Sequence, residues 1–356
     1  MPLGGGRDDG PTINSVFTEC ASEAIIVLDG YYSVNTLLLT ESLNHVDILL
    51  SGTVQYTPDI AYWTTFWFLS GNDIHLYGGG TIDGNGQDSA TAGASTLSFA
   101  RPIPLTIGNS TNVVIENITQ WQSPNWESTV AHISINSFSY SSAPAKNTDG
   151  WDIYRSSQVT ITDSKINNGD DCVSLKPNAT EVIVTNLWCN GSHGISVGSL
   201  GQYAGETDIV ANVFVKNVTM RYAENGARIK VFGGSPDASS TAGGGTGYVK
   251  NVTFEDFYVY VVDDPIVIDQ CYETDASTCA EYPSQLSISD IHYINVTGSS
   301  SGAEGTVVVD LECSQECEDI TASGINITSP MGSPTYVCEN VASEDELNFN
   351  CTAPSS

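Results

Sequence analysis

The sequence predicts an all-β protein, a single-domain right-handed parallel β-helix (a solenoid) over residues 1–356 with a short N-terminal capping helix. Short runs rich in Val, Ile and Thr recur along the chain, which is typical of a solenoid whose repeats are strands. Polar groups recur at a constant step, with 22 residues from Asp149 to Asp171 and 22 more to His193. Stacked strands lie ~4.8 Å apart, so a coil with this step would bring these groups together on one face. A β-sandwich would also contain many short strands, but it would not repeat polar groups at a constant step.

Local patterns predict the individual elements. The best helix candidate is PTINSVFTECASEA (11–24), behind Asp8 and Asp9; it would cover the N-terminal end of the coil and keep the first strand edge from pairing with another molecule. Alternating Val, Ile and Thr predict strands with one buried face, while Gly, Asn and Asp between the runs predict turns. The predicted strands are VVIENIT (113–119), VTITDSKI (159–166), VIVTNLW (182–188), VFVKNVT (213–219), VKNVTFE (249–255), IHYINVT (291–297) and INIT (325–328).

The asparagines in these runs predict the coil lengths. Their alignment gives steps of 31 residues from 186 to 217, 34 from 217 to 251 and 31 from 295 to 326, and the step from Ser164 to Asn186 is 22. A single coil cannot bury its apolar face alone, so neighbouring coils are expected to stack into one continuous core. No linker divides the chain, and the Gly-, Ser- and Ala-rich stretches 84–98 and 233–247 are interpreted as loops that wall a cleft.

Composition excludes several classes of function. The net charge of −31 argues against nucleic acid and anionic membranes as partners. The sequence contains no run of 18 apolar residues, so no membrane-spanning helix is predicted. The opening MPLGGGRDD has no signal-peptide pattern and is interpreted as a trimmed or engineered end.

Cysteines and glycosylation motifs indicate secretion. Eight of the nine cysteines form close neighbour pairs, which predict the disulfides Cys172–Cys189, Cys271–Cys279, Cys313–Cys317 and Cys338–Cys351. Cys20 is left over, and the sequence does not decide whether it is a free thiol. Metal ligation by cysteine is disfavoured, because the sequence has no CxxC motif and no Cys/His cluster. The glycosylation candidates are Asn109, Asn117, Asn178, Asn190, Asn217, Asn251, Asn295, Asn326 and Asn350, although some of them would serve only as turn residues.

The recurring acidic groups fit one kind of chemistry. Two or three carboxylates in one cleft can hydrolyse a glycosidic bond, because one protonates the leaving oxygen while another activates water. Asp170 and Asp171 are chain neighbours, so both can reach the cleft only if Gly169 introduces a turn or bulge. An ordinary Asx turn is the alternative for each acidic group taken alone. Their constant step favours the catalytic interpretation.

The few cations point to a carboxylated ligand. Eight of the eleven Lys and Arg residues lie between 146 and 230, the segment that holds the acidic motifs. Arg228 and Lys230 alternate along one strand and would lie on one face of it. The alternative is that the long loops and caps simply lack cations.

Four segments resemble the signature segments of glycoside hydrolase family 28, the polygalacturonases. They are NTDGWD (147–152), NGDDCV (168–173), GSHGIS (191–196) and ARIKV (227–231). The resemblance is closest to fungal exo-polygalacturonases, and it also includes DQCYE (269–273). It implies a right-handed parallel β-helix that hydrolyses α-1,4-linked galacturonic acid with inversion. A Ser at 192 before the histidine, where many endo-acting members have Gly, fits the exo-acting branch.

The resemblance also implies catalytic roles. Asp170 resembles the general acid, Asp149 and Asp171 resemble the pair that activates water, and His193 resembles the histidine that tunes the proton of the acid.

Substrate-binding roles follow in the same way. Arg228 and Lys230 resemble the residues that bind the substrate carboxylate. Tyr272 resembles a subsite tyrosine, and Asn147 resembles an asparagine that positions its loop and the sugar. Lys176 is a further candidate for a carboxylate contact, with a solvent-facing lysine as the alternative.

The function expected from this resemblance is a secreted, monomeric exo-polygalacturonase acting on homogalacturonan or its oligomers, with no cofactor, no metal, and neither nucleic acid nor membrane as a partner. Exo action requires one closed end of the cleft, and the candidate walls are 84–102, 137–146 and 233–247. The nearest alternative is an exo-acting rhamnogalacturonan or xylogalacturonan hydrolase of the same family. More distant alternatives are a Ca²⁺-dependent pectate-lyase-like enzyme and a non-catalytic β-helix that binds carbohydrate.

Overall fold

The computed structural model describes residues 1–57, 65–86, 102–123, 133–136 and 147–354. Within these ranges the helices are α1 (Gly10–Glu19) and α2 (Ala276–Glu281). The strands are β1 (Ser22–Leu28), β2 (Tyr31–Val34), β3 (Leu38–Leu50), β4 (Thr53–Tyr56), β5 (Thr65–Tyr77), β6 (Thr81–Asp83), β7 (Ile103–Ile107), β8 (Thr111–Ile115), β9 (Ile118–Trp121), β10 (Ile133–Asn136), β11 (Trp151–Ile153), β12 (Ser157–Thr162), β13 (Lys165–Asn167), β14 (Val173–Leu175), β15 (Ala179–Asn190), β16 (Ile195–Leu200), β17 (Thr207–Arg221), β18 (Asn225–Phe232), β19 (Thr246–Val262), β20 (Asp264–Tyr272), β21 (Gln285–Ser300), β22 (Val307–Ser323), β23 (Asn326–Thr328) and β24 (Thr335–Val341).

The N-terminal helix is shorter than predicted. α1 buries Ile13 and Phe17, and the Phe17 ring lies 5.6 Å from that of Trp67. The predicted continuation to residue 24 is wrong, because Ser22–Leu28 forms β1 and pairs in parallel with β3. The run of β-branched residues in β1 favours a strand over a further helical turn.

Two compact units are distinguished, and the first consists of Met1–Asp152 and Ile161–Asp170. In this unit β1, β3, β5 and β7 form one parallel sheet, with β8 also on β5. Strands β2, β4, β6, β9, β10 and β13 pair in parallel in a second sheet.

The second unit consists of Ile153–Thr160 and Asp171–Ser356. The β18 sheet (β14, β16, β18, β20, β22 and β24) and the β17 sheet (β15, β17, β19 and β21) are both parallel. Leu175, Val197, Ile229 and Ile268 follow one another in register and are fully buried, so successive coils share one apolar core. These pairings confirm the predicted fold class, a parallel β-helix. One domain over 1–356 stays a prediction.

The coil lengths differ partly from those predicted. Asn217 donates from Nδ2 to Asn186 Oδ1 at 2.7 Å, which confirms the step of 31. Asn251 instead donates to Asn212 at 2.9 Å, so the coil has 39 residues and the predicted step of 34 is wrong. The step of 31 from 295 to 326 is also wrong, since Asn326 pairs with Thr297.

The predicted step of 34 is wrong because each long strand has two corners at which the backbone is left-handed. Asn212 and Asn217 both have φ of 57°. Asn adopts this conformation more easily than most residues, so both corners select it. Alignment by residue type therefore matched a residue at one corner with a residue at the other.

The cysteines pair as the sequence indicated. The structure contains the disulfides Cys172–Cys189, Cys271–Cys279, Cys313–Cys317 and Cys338–Cys351, and Cys20 is free. Helix α2, which local patterns did not predict, begins inside the loop closed by the second of these disulfides and carries its Cys279. Neither helix of the described ranges has the length and apolar character needed to cross a membrane.

Candidate active site

The acidic pair lies in a bend between β13 and β14, where strand geometry is interrupted. Asn168 donates from Nδ2 to the carbonyl oxygens of Thr148 at 2.8 Å and Asp170 at 3.0 Å. The Gly169 N–H donates to Thr148 Oγ1 at 3.0 Å. The predicted break at Gly169 is therefore present. Thr148 and Asn168, which hold the bend, had no assigned role in the sequence interpretation.

Three predicted carboxylates come together at this bend. One oxygen from each of Asp149, Asp170 and Asp171 lies within 4.8 Å of the others. Asp149 and Asp171 are buried, while Asp170 is half-buried. The backbone N–H of Asn147 donates to Asp170 Oδ2 at 3.0 Å, so this asparagine positions the carboxylate through its main chain.

Asp171 is held by a buried ion pair. Lys230 Nζ donates to its Oδ2 at 2.7 Å, and the two side chains are 7% and 0% exposed. Ser196 Oγ donates to Oδ1 at 2.6 Å. Gly198 allows this arrangement, because a Cβ there would lie 2.2 Å from the carbonyl oxygen of Lys230. The ammonium and the hydroxyl favour the ionised form of Asp171.

The two predicted cations share one aromatic neighbour. The Arg228 guanidinium carbon lies 5.2 Å, and Lys230 Nζ 5.5 Å, from the ring centroid of Tyr272. Tyr272 ends β20 and makes an edge contact with Phe232, at 5.4 Å between ring centroids. The structure thus places the predicted carboxylate-binding pair and the subsite tyrosine together.

His193 has a partner that sequence analysis missed. Its Nε2 lies 3.2 Å from Glu224 Oε2, and both side chains are partly exposed. Glu224 follows His193 by 31 residues, the step already seen from Asn186 to Asn217. This step could have identified it.

The strands that come after β18 in the β18 sheet, β20 and β22, carry further acidic residues, among them Asp264, Asp269, Asp310 and Glu312. Asp269 pairs in register with Lys230, and Glu312 with Asp269. Burial, reinforced by Glu304 and Asp263, raises the pKa of Asp264 to about 7. Burial and then Glu312 raise the pKa of Asp310 to about 7.

Lys176 follows β14 and is half-buried; its backbone N–H donates to the Ile153 carbonyl at 2.9 Å. Its contact with substrate stays a prediction.

Of the predicted cleft walls, 137–146 and most of 84–102 lie outside the described residues. In the wall 233–247, Gly244 N–H donates to the Gly233 carbonyl at 3.0 Å, and Thr246 begins β19.

Comparison with known proteins settles the family. The sequence model described as glycosyl hydrolases family 28 matches residues 19–348. The chain belongs to glycoside hydrolase family 28. Among relatives of this family-28 chain, "Probable exopolygalacturonase X" from Aspergillus fumigatus is 44% identical, covering 98% of this chain and 87% of the relative. "Exopolygalacturonase X-1" from Emericella nidulans is 43% identical with the same coverage.

Solved structures agree with the family-28 fold. The endo-xylogalacturonan hydrolase from Aspergillus tubingensis has a TM-score of 0.91 at 33% identity, covering 99% of this chain and 98% of that one. The polygalacturonase from Erwinia carotovora has a TM-score of 0.71 at 21% identity, covering 98% and 96%, and supports the fold alone.

Proposed function

We propose that this family-28 hydrolase is an exo-polygalacturonase that releases galacturonic acid from the non-reducing end of α-1,4-polygalacturonate. The observation that carries the proposal is the group of three carboxylates with oxygens within 4.8 Å of one another. Relatives named exopolygalacturonase, 43–44% identical across 98% of the chain, support the choice of substrate and mode.

The roles of the three aspartates are assigned from the charge that each one needs. A glycosidase needs one protonated and one ionised carboxyl group. Asp171 accepts from the Lys230 ammonium, which favours its ionised form, so it serves with Asp149 to hold and activate water. Asp170 is then the general acid, and His193, paired with Glu224, tunes its proton.

Arg228 and Tyr272 provide the substrate contacts. The guanidinium lies against the Tyr272 ring, and an Arg fork can hold a carboxylate by two hydrogen bonds. Lys230 contributes its charge, but its ammonium already donates to Asp171, so it acts on both the water-activating group and the substrate. Asn147 positions Asp170 through its backbone, and Lys176 is a further candidate for a carboxylate contact.

Inversion rests on the family resemblance rather than on distance. Inverting enzymes generally separate their carboxyl groups by ~6.5–9.5 Å. The bound of 4.8 Å here joins single oxygens, one from each residue, and is not the separation of the acid from the base, so it does not distinguish inversion from retention. Proton NMR in the first minutes of reaction distinguishes the two. A β-anomeric product from the α linkage supports inversion, and an initial α anomer contradicts it.

Product analysis tests the proposed activity. With polygalacturonate, free galacturonic acid should form from the first minute with little early fall in viscosity. Asp170→Asn should slow this release by ~10²–10⁴, while Asp319→Asn, at an exposed carboxylate on β22, should not change it. An early ladder of oligomers with a rapid fall in viscosity would show endo action.

The similarity to a xylogalacturonan hydrolase defines a second candidate substrate. Parallel incubation with xylogalacturonan measures it directly. A higher kcat/KM on the xylosylated polymer than on polygalacturonate would replace the proposed substrate while keeping the same catalytic groups.

The carboxylate group could also hold a cation, because each of the three residues offers one oxygen. A hydrolase with an acid and a base in these positions needs no metal, so EDTA should leave the rate unchanged. Calcium dependence together with an unsaturated product absorbing in the near ultraviolet would indicate a lyase.

We further propose that the protein is secreted and monomeric, with the pectic polymer as its partner. Four disulfides support an oxidising compartment. Size-exclusion chromatography with light scattering should give the mass of one chain, 37.8 kDa before any glycan.

A further inference from the structure

Two neighbouring ladders on the β17 sheet carry aromatic side chains and a single cation. They are Trp188–Thr219–Tyr258 and Asn190–Arg221–Tyr260. Neither contains a carboxylate, although the chain has 42 acidic residues against 11 Lys and Arg. Arg221, Tyr222, Tyr258 and Tyr260 are called the tyrosine face below.

The tyrosine face is exposed to solvent. Tyr222, Tyr258 and Tyr260 are 53%, 50% and 37% exposed. Large aromatic side chains at this exposure, grouped on one surface, mark an interaction site more often than scattered single residues do.

Arg221 lies between two of these rings. Its guanidinium carbon is 5.6 Å from the centroid of Tyr222 and 5.1 Å from that of Tyr260, and the two rings meet edge to face at 5.4 Å. No carboxylate of the described ranges lies within ion-pair distance of Arg221, and its Nε is buried without a hydrogen-bond partner there. A cation held by aromatic faces in this way keeps its remaining donors for an anionic ligand.

Tyr222, at the corner beside Arg221, has a left-handed backbone conformation. Gly191, Tyr222 and Val261 occupy this corner in three successive coils, with φ of 70°, 48° and 56°. The Tyr222 N–H donates to the Tyr260 carbonyl at 3.0 Å, and the Gly191 N–H to the Arg221 carbonyl at 3.0 Å. Glycine adopts a left-handed conformation freely, whereas a bulky residue is strained in it. The corner thus accepts Gly, Tyr or Val, and in this coil it presents the exposed ring of Tyr222 beside Arg221.

We propose that the tyrosine face is a second binding surface for polygalacturonate, with sugar rings stacked on the tyrosines and a uronate carboxylate held by Arg221. Sugar C–H groups are attracted to the negative face of an aromatic ring, and the guanidinium supplies the complementary charge. Only the choice of polymer rests on the proposed function. Arg221 ends β17, whereas Arg228 and Lys230 are on β18, so the tyrosine face and the catalytic cations are carried by different sheets.

A second surface on the same molecule acts through avidity. Binding at the tyrosine face makes the catalytic encounter effectively intramolecular for a long chain, whereas a trimer that occupies only the cleft gains nothing from the tyrosine face. The tyrosine face should thus increase affinity for the polymer and leave turnover of short oligomers unchanged.

Affinity electrophoresis in gels containing polygalacturonate tests this. All variants are made with Asp170→Asn so that the polymer stays intact, and N-glycans are removed first because Asn190 is in a sequon beside Arg221. Adding Arg221→Gln or Tyr260→Ala should weaken the retardation about tenfold, as expected for loss of a charge-assisted contact or an aromatic platform. A gel with neutral dextran should retard no variant.

The matched control is Arg155→Gln. Arg155 lies 4.9 Å from the ring of exposed Tyr154, a single arginine on a single tyrosine. This substitution should leave retardation within about twofold of the parent, since one exposed cation–π pair contributes little. Equal losses for Arg155→Gln and Arg221→Gln would show a general charge effect and overturn the proposal.

Kinetics complete the test, with the same substitutions made in the active enzyme. Arg221→Gln should keep kcat/KM on galacturonate trimer within about twofold while lowering it on the polymer. Loss on the trimer would place Arg221 in the catalytic cleft and refute a second surface. Retardation that depends on Arg221 in a protein that does not hydrolyse polygalacturonate would refute the proposed activity and uphold the tyrosine face.

Discussion

The Lys230–Asp171 ion pair is buried, and the chain contains an exposed pair of the same length for comparison. Lys230 Nζ lies 2.7 Å from Asp171 Oδ2 with side chains 7% and 0% exposed. Lys216 Nζ lies 2.7 Å from Glu255 Oε1 with side chains 41% and 25% exposed. Lys216 also lies 3.5 Å from Asp256 Oδ2, so it has more acidic partners than Lys230 but is far more exposed. Replacing each lysine by Met therefore tests whether burial or the number of partners decides the loss of stability.

Lys230→Met should be strongly destabilising. Removing one partner of a buried pair leaves an uncompensated charge and costs ~3–5 kcal/mol. With an m-value of about 3 kcal/mol/M, the urea midpoint should fall by about 1–1.7 M. Lys216→Met should change it far less, because water already screens the exposed pair. Unfolding is followed by tryptophan fluorescence at pH 5.

Removing the charge of Asp171 as well tests whether the unpaired buried charge causes the loss of stability in Lys230→Met. The double variant Lys230→Met/Asp171→Asn removes both charges of this pair, so it should lose less stability than the sum of the two single variants. Lys230→Met alone should also lower kcat and raise KM, since Asp171 loses its partner and the substrate loses a cation. Equal midpoint shifts for the Lys230 and Lys216 variants would refute the reasoning.

Four further outcomes are expected. Asp170→Asn should lower kcat by ~10²–10⁴ without changing the circular dichroism spectrum, and a variant that keeps more than about a tenth of the rate would exclude Asp170 as the acid. The pH–rate profile should be bell-shaped with a maximum at roughly pH 4–5, since one carboxyl group is protonated and another ionised; a maximum at or above about pH 7 would contradict this assignment. Burial raises the pKa of Asp264 and of Asp310 from 3.8 to about 7, so the folded state binds more protons than the unfolded state between these values, and the free energy of unfolding should fall as pH rises through this window. Urea midpoints from about pH 4 to 8 measure this fall, and Asp264→Asn should flatten it; an unchanged slope would show that Asp264 does not contribute. A thiol reagent should label one cysteine per native chain, at Cys20, and labelling at any other position would contradict the four disulfides.

Much of the site could be predicted because strand stacking converts a constant sequence step into proximity. Asp171 and His193 are 22 residues apart, and Val173 and Ile195, just after them, pair in register on β14 and β16. The disulfides could be predicted because the two cysteines of each pair are at most 17 residues apart in the sequence. The length of the coil from Asn217 could not be predicted by aligning asparagines. Asn217 and Asn251 are the same residue type but occupy different corners of their strands.

The sequence by itself determined that the chain is a stack of parallel strands and that its acidic motifs share one face, because both depend on periodicity. Only the tertiary structure decided what each group contacts. Lys230 was expected to bind substrate, and it donates to Asp171; His193 pairs with Glu224. Arg221, which the sequence interpretation left without a role, lies between two exposed tyrosines. Lys230 lies two coils after Asp171, and Glu224 one coil after His193, along a sheet whose register steps change from 22 to 32 to 39 residues. The lengths of the turns, which periodicity does not encode, therefore select which side chains meet.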